Sequence, residues 1–478
     1  MNSIPTLRKK LDKHEISAYE LTKYYLDKIK HHDSKLHSYI TVCEHEALNQ
    51  AKAAQDKIMS GNSAILCGIP LSVKDNICTK GIKTTCASKM LLDFVPVYDA
   101  TAVEKIKNEN AVILGKSNMD EFAMGSENET SYFGAVKNPH NHSYTSGGSS
   151  GGAAAGVAAG LCVAALGSDT GGSVRQPAAF CGVTGIKPTY GSISRYGLIP
   201  FASSLDQIGI LANSAEDCAY LLNVVSGKDE RDMTSSSLSN QDYTSQLGNS
   251  LKGLKIGIVK EFFDNLLDYE VKEHFDKTVD FYLSNGAIIV ECSAKTLDLS
   301  TQLYRIISSA EAASNLARFD SIAYGHCETD NANEDVIAKN RACGFGEEVK
   351  KRILFGNFSL SADNYEEYYK KACKLRGHLK AEFDDIFKLC DVVLSPTTPT
   401  TAYLSDLSDE VVRHNYTADK CTVFANLVGI PSISTVCGYD KHAMPIGISI
   451  SSKAFNDAKI LSVCDAFEKE FSKKEVRL

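Results

Sequence analysis

The sequence predicts an α/β protein: a large mixed β-sheet covered by helices on both faces. Two observations carry this. Short apolar runs of strand length alternate with longer segments of helical periodicity along the whole chain. In addition, 43% of the 478 residues are hydrophobic, enough to bury a sizeable core. Length alone would allow roughly two to four domains. The pattern is read instead as a single domain over 1–478, with a helical N-terminal segment over 1–60 and a surface excursion over 226–250. No internal repeat and no coiled-coil heptad interrupts it.

The elements follow in order. Ser17-Ala-Tyr-Glu20 is a capping box, opening an amphipathic helix through about residue 30. A second charged helix covers about 44–60. The apolar run 71–73 is a short strand leading into Lys74. A helix from about residue 100 precedes a strand at 111–114. Small residues over 153–160 form a helix that packs closely on its neighbours, and 161–166 is a strand. The stretch 226–250 is rich in Ser, Asp and Asn, hence its reading as a surface excursion. Strands at 254–259 and 287–290 bracket a helix near 271–284. Further helices are predicted at 303–318, 347–355 and 365–387. Strands at 391–394, 433–436 and 446–450 close the set, followed by a last helix over 455–471.

Composition removes several functions. The formal net charge is −8, with no broad basic face, so tight autonomous nucleic-acid binding is not expected. The fifteen cysteines include no C-x-x-C pair, which argues against a zinc ribbon or a thioredoxin-type site and for reduced thiols in a cytoplasmic protein. Twelve histidines contain no H-E-x-x-H, and His140 and His142 lack further nearby ligands, so no metal site is expected. The N-terminus has no apolar signal segment, and the longest apolar run, 153–166, is too short to span a bilayer. No membrane association is predicted.

Three segments bear chemistry. Leu166-Gly-Ser-Asp-Thr-Gly-Gly-Ser-Val-Arg-Gln-Pro177 is a glycine-dense turn after an apolar run. Its Ser173 is a candidate nucleophile, and the amides of Thr170, Gly171, Gly172 and Ser173 can face one cavity as an oxyanion hole. Leu71-Ser-Val-Lys-Asp-Asn76 places Lys74 at the end of an apolar strand, where burial would lower its pKa and suit it to act as a base. Thr145-Ser-Gly-Gly-Ser-Ser-Gly-Gly152 supplies two more serines. It lacks the lysine of a phosphate loop. It also fits G-x-S-x-G around Ser150, but no apolar strand precedes it as a hydrolase elbow requires.

Together and in this order, the three segments resemble the amidase signature family, and the resemblance covers essentially the whole chain. It implies the amidase signature fold and a Ser–cisSer–Lys triad: Ser173 as nucleophile, Ser149 as proton-relaying bridge and Lys74 as base. Within the family, Met119-Asp-Glu-Phe-Ala-Met-Gly-Ser-Glu127, Lys187-Pro-Thr-Tyr-Gly191, Ser203-Ser-Leu-Asp-Gln-Ile-Gly209 and Glu311-Ala-Ala-Ser-Asn-Leu-Ala-Arg-Phe-Asp320 are similar to its tRNA-dependent branch. Members of that branch hydrolyse glutamine and supply ammonia to convert Glu-tRNA(Gln) to Gln-tRNA(Gln). The branch's glutamine-holding residues fall on Tyr304, on Arg352 in Glu347-Glu-Val-Lys-Lys-Arg-Ile353, and on Asp419 in Tyr416-Thr-Ala-Asp-Lys-Cys-Thr422. Arginine and aspartate suit the α-carboxylate and α-ammonium of glutamine. The resemblance further implies a heterotrimer with the B-type and C-type amidotransferase subunits. The B-type partner would carry ATP and Mg and make most of the contact with Glu-tRNA(Gln), and this chain itself would need no cofactor. Ile210 and Ser449 stand where the family often has proline and glutamine. A stand-alone amidase for small amides, or a non-catalytic scaffold, are the alternatives. The first has no use for Arg352 and Asp419, and the second has none for the triad.

Overall fold

The computed structural model describes residues 3–263, 267–327, 336–405, 419–471, 473–474 and 476. Eleven strands form one mixed sheet: β1 (Tyr39–Val42), β2 (Pro70–Lys74), β3 (Val112–Ser117), β4 (Ala164–Asp169), β5 (Thr184–Lys187), β6 (Gln207–Ala212), β7 (Lys255–Val259), β8 (Ile288–Cys292), β9 (Val392–Pro396), β10 (Ser432–Tyr439) and β11 (Pro445–Ser451). Their order is β1-β3-β2-β4-β6-β5-β10-β11-β9-β7-β8. The parallel pairs are β2 with β3 and β4, and β7 with β8 and β9. Strands β2, β3 and β4 are buried along their whole length, which explains their near-continuous apolar runs.

Helices lie on both faces. Successive residues of a strand point to opposite sides. On β5, the Thr184 hydroxyl bonds Glu468 of the helix Asp457–Glu470. A Cβ on the next residue, Gly185, would meet Ala178 of the helix Arg175–Cys181 at 2.7 Å. The two helices therefore sandwich the sheet.

At the N-terminus the capping box forms as expected: the Ser17 hydroxyl accepts from the Glu20 amide at 3.1 Å, and the Glu20 carboxylate accepts from the Ser17 amide at 2.9 Å. The helix runs further than predicted, over Ala18–Leu36, and ends at His37 in the left-handed region. The segment 1–60 is not wholly helical, because β1 sits inside it as an antiparallel edge strand on β3. Four residues are too few to display a strand's alternation. The strand predicted at 161–166 begins three residues later, after the 160–163 turn in which the Val163 amide bonds the Pro70 carbonyl at 3.0 Å. The predicted helix 365–387 opens with a π turn, Glu366–Lys370, before Lys371–Leu389.

The 226–250 stretch lies mostly at the surface and has one deep anchor: Tyr243 is fully buried in the main core, and its hydroxyl donates to the Ser239 carbonyl at 3.0 Å. Serine and aspartate content conceals one tyrosine anchor. Among the described residues no helix is long and apolar enough to cross a membrane, and no group of metal-binding side chains is found.

Candidate active site

The topology brings distant segments together. Strands β2 and β4 are parallel neighbours, with Val73 opposite Leu166. Their C-terminal ends therefore open at the same edge of the sheet, the place where α/β folds expose reactive groups. Lys74 ends β2, and Asp169 ends β4 and begins the Ser173 turn. Ser149 and Ser150 lead into the helix Gly151–Ala158, and the Gly148–Ser149 peptide is cis.

Lys74 is fully buried. Its Nζ donates to Ser149 Oγ at 2.8 Å, to Ser150 Oγ at 2.8 Å and to the Ser168 carbonyl at 3.3 Å. Burial pushes the ammonium down to about 7, against the opposing pull of Asp120, Asp169 and Asp206. Ser150 is not an exposed elbow. It is fully buried, it donates to the Ser168 carbonyl at 3.1 Å, and it is a second hydroxyl holding Lys74. The run of two adjacent serines was the available signal for it.

The turn carrying Ser173 is held by a buried ion-pair knot. Arg175 grips Asp169 with two bonds of 3.0 Å. It also donates to the Thr422 carbonyl at 2.9 Å and to Asn426 Oδ1 at 2.7 Å. Burial alone would raise the Asp169 carboxyl, but the charge and hydrogen bonds of Arg175 hold it well below the usual carboxylate range. Asp169 in turn accepts from the Gly172 amide at 2.8 Å and the Val174 amide at 3.2 Å. This corrects one expectation. The Gly172 amide is spent on Asp169, so Gly172 serves the shape of the turn rather than donating to the cavity. Its φ is +132°, and a Cβ there would meet Thr422 Oγ1 at 2.5 Å. Gly171 is pressed just as closely, since a Cβ would lie 2.6 Å from the Tyr304 ring. The Thr170 hydroxyl is tied to Asp206 at 2.7 Å. Burial pushes the Asp206 carboxyl up to about 6 despite that bond.

Ser173 faces a cavity of about 310 Å³ that also borders Gly171, Tyr304, Arg352 and Asp419. All three predicted glutamine-holding residues therefore share one cavity with the predicted nucleophile. Tyr304 is buried, which raises its hydroxyl pKa. Arg352, on the helix Glu347–Leu360, donates to Glu348 at 2.7 Å. Burial pushes the Asp419 carboxyl up to about 6, with Arg352 and Arg305 pulling it down and Glu127 pushing it further up. Residues 416–418 of its motif lie outside the described residues. Sequence reasoning missed Asp169, Arg175, Thr422 and Asn426 as the support of the turn. Asp169 and Arg175 were inside the quoted motif, six residues apart, while Thr422 and Asn426 come from a helix, Lys420–Val428, that no periodicity announced. A larger cleft of about 1180 Å³, between the 89–98 loop and 318–327, contains none of these groups.

A family model described as Amidase matches residues 20–461. The chain is 50% identical over 475 residues to the A-type subunit of glutamyl-tRNA(Gln) amidotransferase from Ruminiclostridium cellulolyticum, covering 99% of this chain and 98% of the relative. It is 47% identical over 470 residues to the protein of the same name from Caldanaerobacter subterraneus subsp. tengcongensis, covering 98% and 96%. The crystal structure of the corresponding A-type amidotransferase subunit from Thermotoga maritima superposes with a TM-score of 0.81 at 37% identity, over 96% of this chain and 95% of that one. The peptide amidase from Stenotrophomonas maltophilia gives a TM-score of 0.86 at 26% identity, over 99% and 98%.

Proposed function

The chain belongs to the amidase family, and from that premise we propose that it is the glutamine-hydrolysing subunit of a glutamyl-tRNA(Gln) amidotransferase, with Ser173, Ser149 and Lys74 as its triad. Ser173 Oγ attacks the γ-carboxamide carbon. Its proton passes through Ser149 Oγ to neutral Lys74 Nζ. The relay returns a proton to the leaving nitrogen as the C–N bond breaks, which releases ammonia and leaves a γ-glutamyl ester on Ser173. Water, deprotonated through the same relay, hydrolyses the ester to glutamate and restores Ser173. The carbonyl oxygen, as it gains charge, is received by turn amides at Gly171 and Ser173, with Thr170 beside them.

The observation that carries this reading is the buried Lys74, 2.8 Å from Ser149 Oγ, behind the cavity onto which Ser173 opens. Burial supplies the neutral base, and a fixed hydroxyl supplies the direction that a flexible lysine lacks. Arg352 and Asp419 on the same cavity favour an amino-acid substrate over the neutral amides of a stand-alone amidase. The ammonia would pass to a B-type partner that uses ATP and Mg to activate Glu-tRNA(Gln), with a small C-type partner completing a heterotrimer. All fifteen cysteines are free thiols, which fits a cytoplasmic setting. The test is direct. Ser173→Ala should abolish ammonia release from glutamine while the circular dichroism spectrum is retained, and an electrophilic glutamine analogue should label Ser173. Label on Ser150 instead would defeat the assignment.

A further inference from the structure

Proton transfer creates a charge that the triad by itself leaves unanswered. When Ser173 attacks, its proton ends on Lys74 Nζ, so an ammonium forms at a fully buried position. A buried cation is costly unless an opposite charge stands near it. Asp120, in Met119-Asp-Glu121, is placed to supply that charge. It is fully buried just beyond β3 and borders the cavity. It touches both residues of the Gly148–Ser149 step: its amide donates to the Ser149 carbonyl at 3.2 Å, and a Cβ on Gly148 would meet its Oδ2 at 2.0 Å. Ser149 Oγ is in turn 2.8 Å from Lys74 Nζ. The Asp120 carboxylate is held by neutral donors, the Asn128 amide at 2.9 Å, the Thr130 amide at 3.3 Å and the Thr130 hydroxyl at 2.9 Å. Such donors fix a carboxylate without cancelling its charge. Asp169, by contrast, is paired with Arg175 at 3.0 Å, and Asp206 is bonded to Thr170 beside the turn amides. Lys74 is faced by these three carboxylates and by the Cys86 thiol, which burial keeps protonated, and of them Asp120 pulls hardest towards the ammonium. Burial pushes the Asp120 carboxyl up, while its donors and Lys74 draw it down. The exposed Glu129 also feels the Asp120 charge.

We propose that Asp120 is a positioning residue: its carboxylate is the counter-charge for the ammonium that forms on Lys74, and its amide holds Ser149 in line with that lysine. The inference rests on the glutaminase reading above. No proton moves to Asp120. The Ser173 proton travels through Ser149 to Lys74, and the carboxylate stays ionised. It stabilises the new ammonium as the buried aspartate of a serine–histidine–aspartate triad stabilises its imidazolium. Without this charge Lys74 would still be neutral, but it would be a weaker base.

The experiment uses the full chain co-expressed with its partner subunits and follows ammonia release over pH 5–9. Glutamine is kept saturating, so that substrate binding at Asp419 does not enter the kcat profile. Asp120→Asn should lower the plateau kcat about tenfold and leave the glutamine KM within about twofold. The acid limb of kcat, set by Lys74 at about 7 in the wild type, should move down by about one pH unit, because the ammonium has lost its counter-charge. Asp120→Ser removes the charge but keeps an oxygen for the loop amides. It should shift the limb in the same way, and it is the variant to read if Asp120→Asn does not assemble. A loss of packing alone would lower kcat at every pH and leave the limb at its wild-type position. That result, or a profile unchanged from wild type, overturns the proposal. If wild-type protein shows Ser173-dependent glutaminase activity and the limb does not move in the variants, this inference alone falls. If wild-type protein shows no such activity, the glutaminase reading falls with it.

Discussion

Acid should silence this enzyme by protonating Lys74, and the structure sets the scale. An ordinary lysine titrates near 10.5, whereas burial brings Lys74 to about 7. At pH 7 an ordinary lysine is neutral in roughly one molecule in three thousand, and a group at about 7 in roughly half, a gain of about a thousandfold in available base. Below that value the neutral fraction falls about tenfold per pH unit, so kcat should drop to roughly a tenth at pH 6 and a hundredth at pH 5. The profile of kcat/KM should be steeper in its acid limb. In its proposed role Asp419, held up at about 6, must also be ionised in the free enzyme to receive the substrate's ammonium. The same shift acts on stability. Between about 7 and 10.5 the unfolded chain binds the proton that the folded chain has lost, so the contribution of Lys74 becomes more favourable as pH rises through that window. Below about 7 its burial penalty is fully present. Lys74→Ala should therefore cost about two to four orders of magnitude in kcat, the usual worth of a positioned base. The assay is steady-state ammonia release from glutamine by the assembled complex over pH 5–9, for wild type and Lys74→Ala. A wild-type kcat that stays flat down to pH 5, or a Lys74→Ala enzyme with near wild-type turnover at pH 7–8, would refute the reasoning.

Other perturbations test the rest of the site. Arg352→Ala should weaken glutamine recognition by about 2–5 kcal/mol in kcat/KM while a neutral amide loses far less, and comparable losses for both would contradict its role at the α-carboxylate. Gly172→Ala forces a Cβ onto Thr422 at 2.5 Å in a backbone conformation that side chains avoid. It should lower kcat at least about a hundredfold through a displaced turn, and normal kinetics would show that the turn tolerates the shift. Arg175→Met strands the buried Asp169 carboxylate, and should cost about 3–5 kcal/mol of stability, read as a lower urea midpoint at unchanged m-value.

What the sequence revealed and what it hid divides along physical lines. Local chemistry was legible. A lysine at the end of an apolar run and a serine inside a glycine turn are short-range patterns, and both lie at the ends of buried parallel strands. The capping box at Ser17 and the amphipathic helix behind it were equally local. Two helices buried on every side escaped notice. Lys420–Val428 is buried from Cys421 to Val428, and Arg175–Cys181 is buried throughout, so neither shows the one-sided apolar stripe by which a helix is recognised. β5 has only four residues, one of them a glycine and one a lysine, so it offered no alternation to read. The oxyanion expectation failed at Gly172 for a related reason. Counting amides in a turn does not reveal which of them a buried carboxylate has already taken.

The helix Lys420–Val428 joins the two halves of the site. Asp419 stands at its N-terminus on the cavity wall. One turn on, the Thr422 hydroxyl donates to the Gly171 carbonyl at 2.7 Å, and another turn on, Asn426 donates to Asp169 Oδ1 at 3.0 Å. A displacement of Asp419 along the helix axis would therefore also displace the groups that hold the glycine turn, because one helix carries all of them and its contacts with Arg175 and Asp169 are buried. On the proposed reading, substrate recognition at one end and the geometry of the nucleophile turn at the other share a single support, which accounts for the number of buried polar groups behind the proposed triad. Lys74 would serve as a base only while it is dry, and Asp169 remains charged near it because Arg175 and Asn426 hold it.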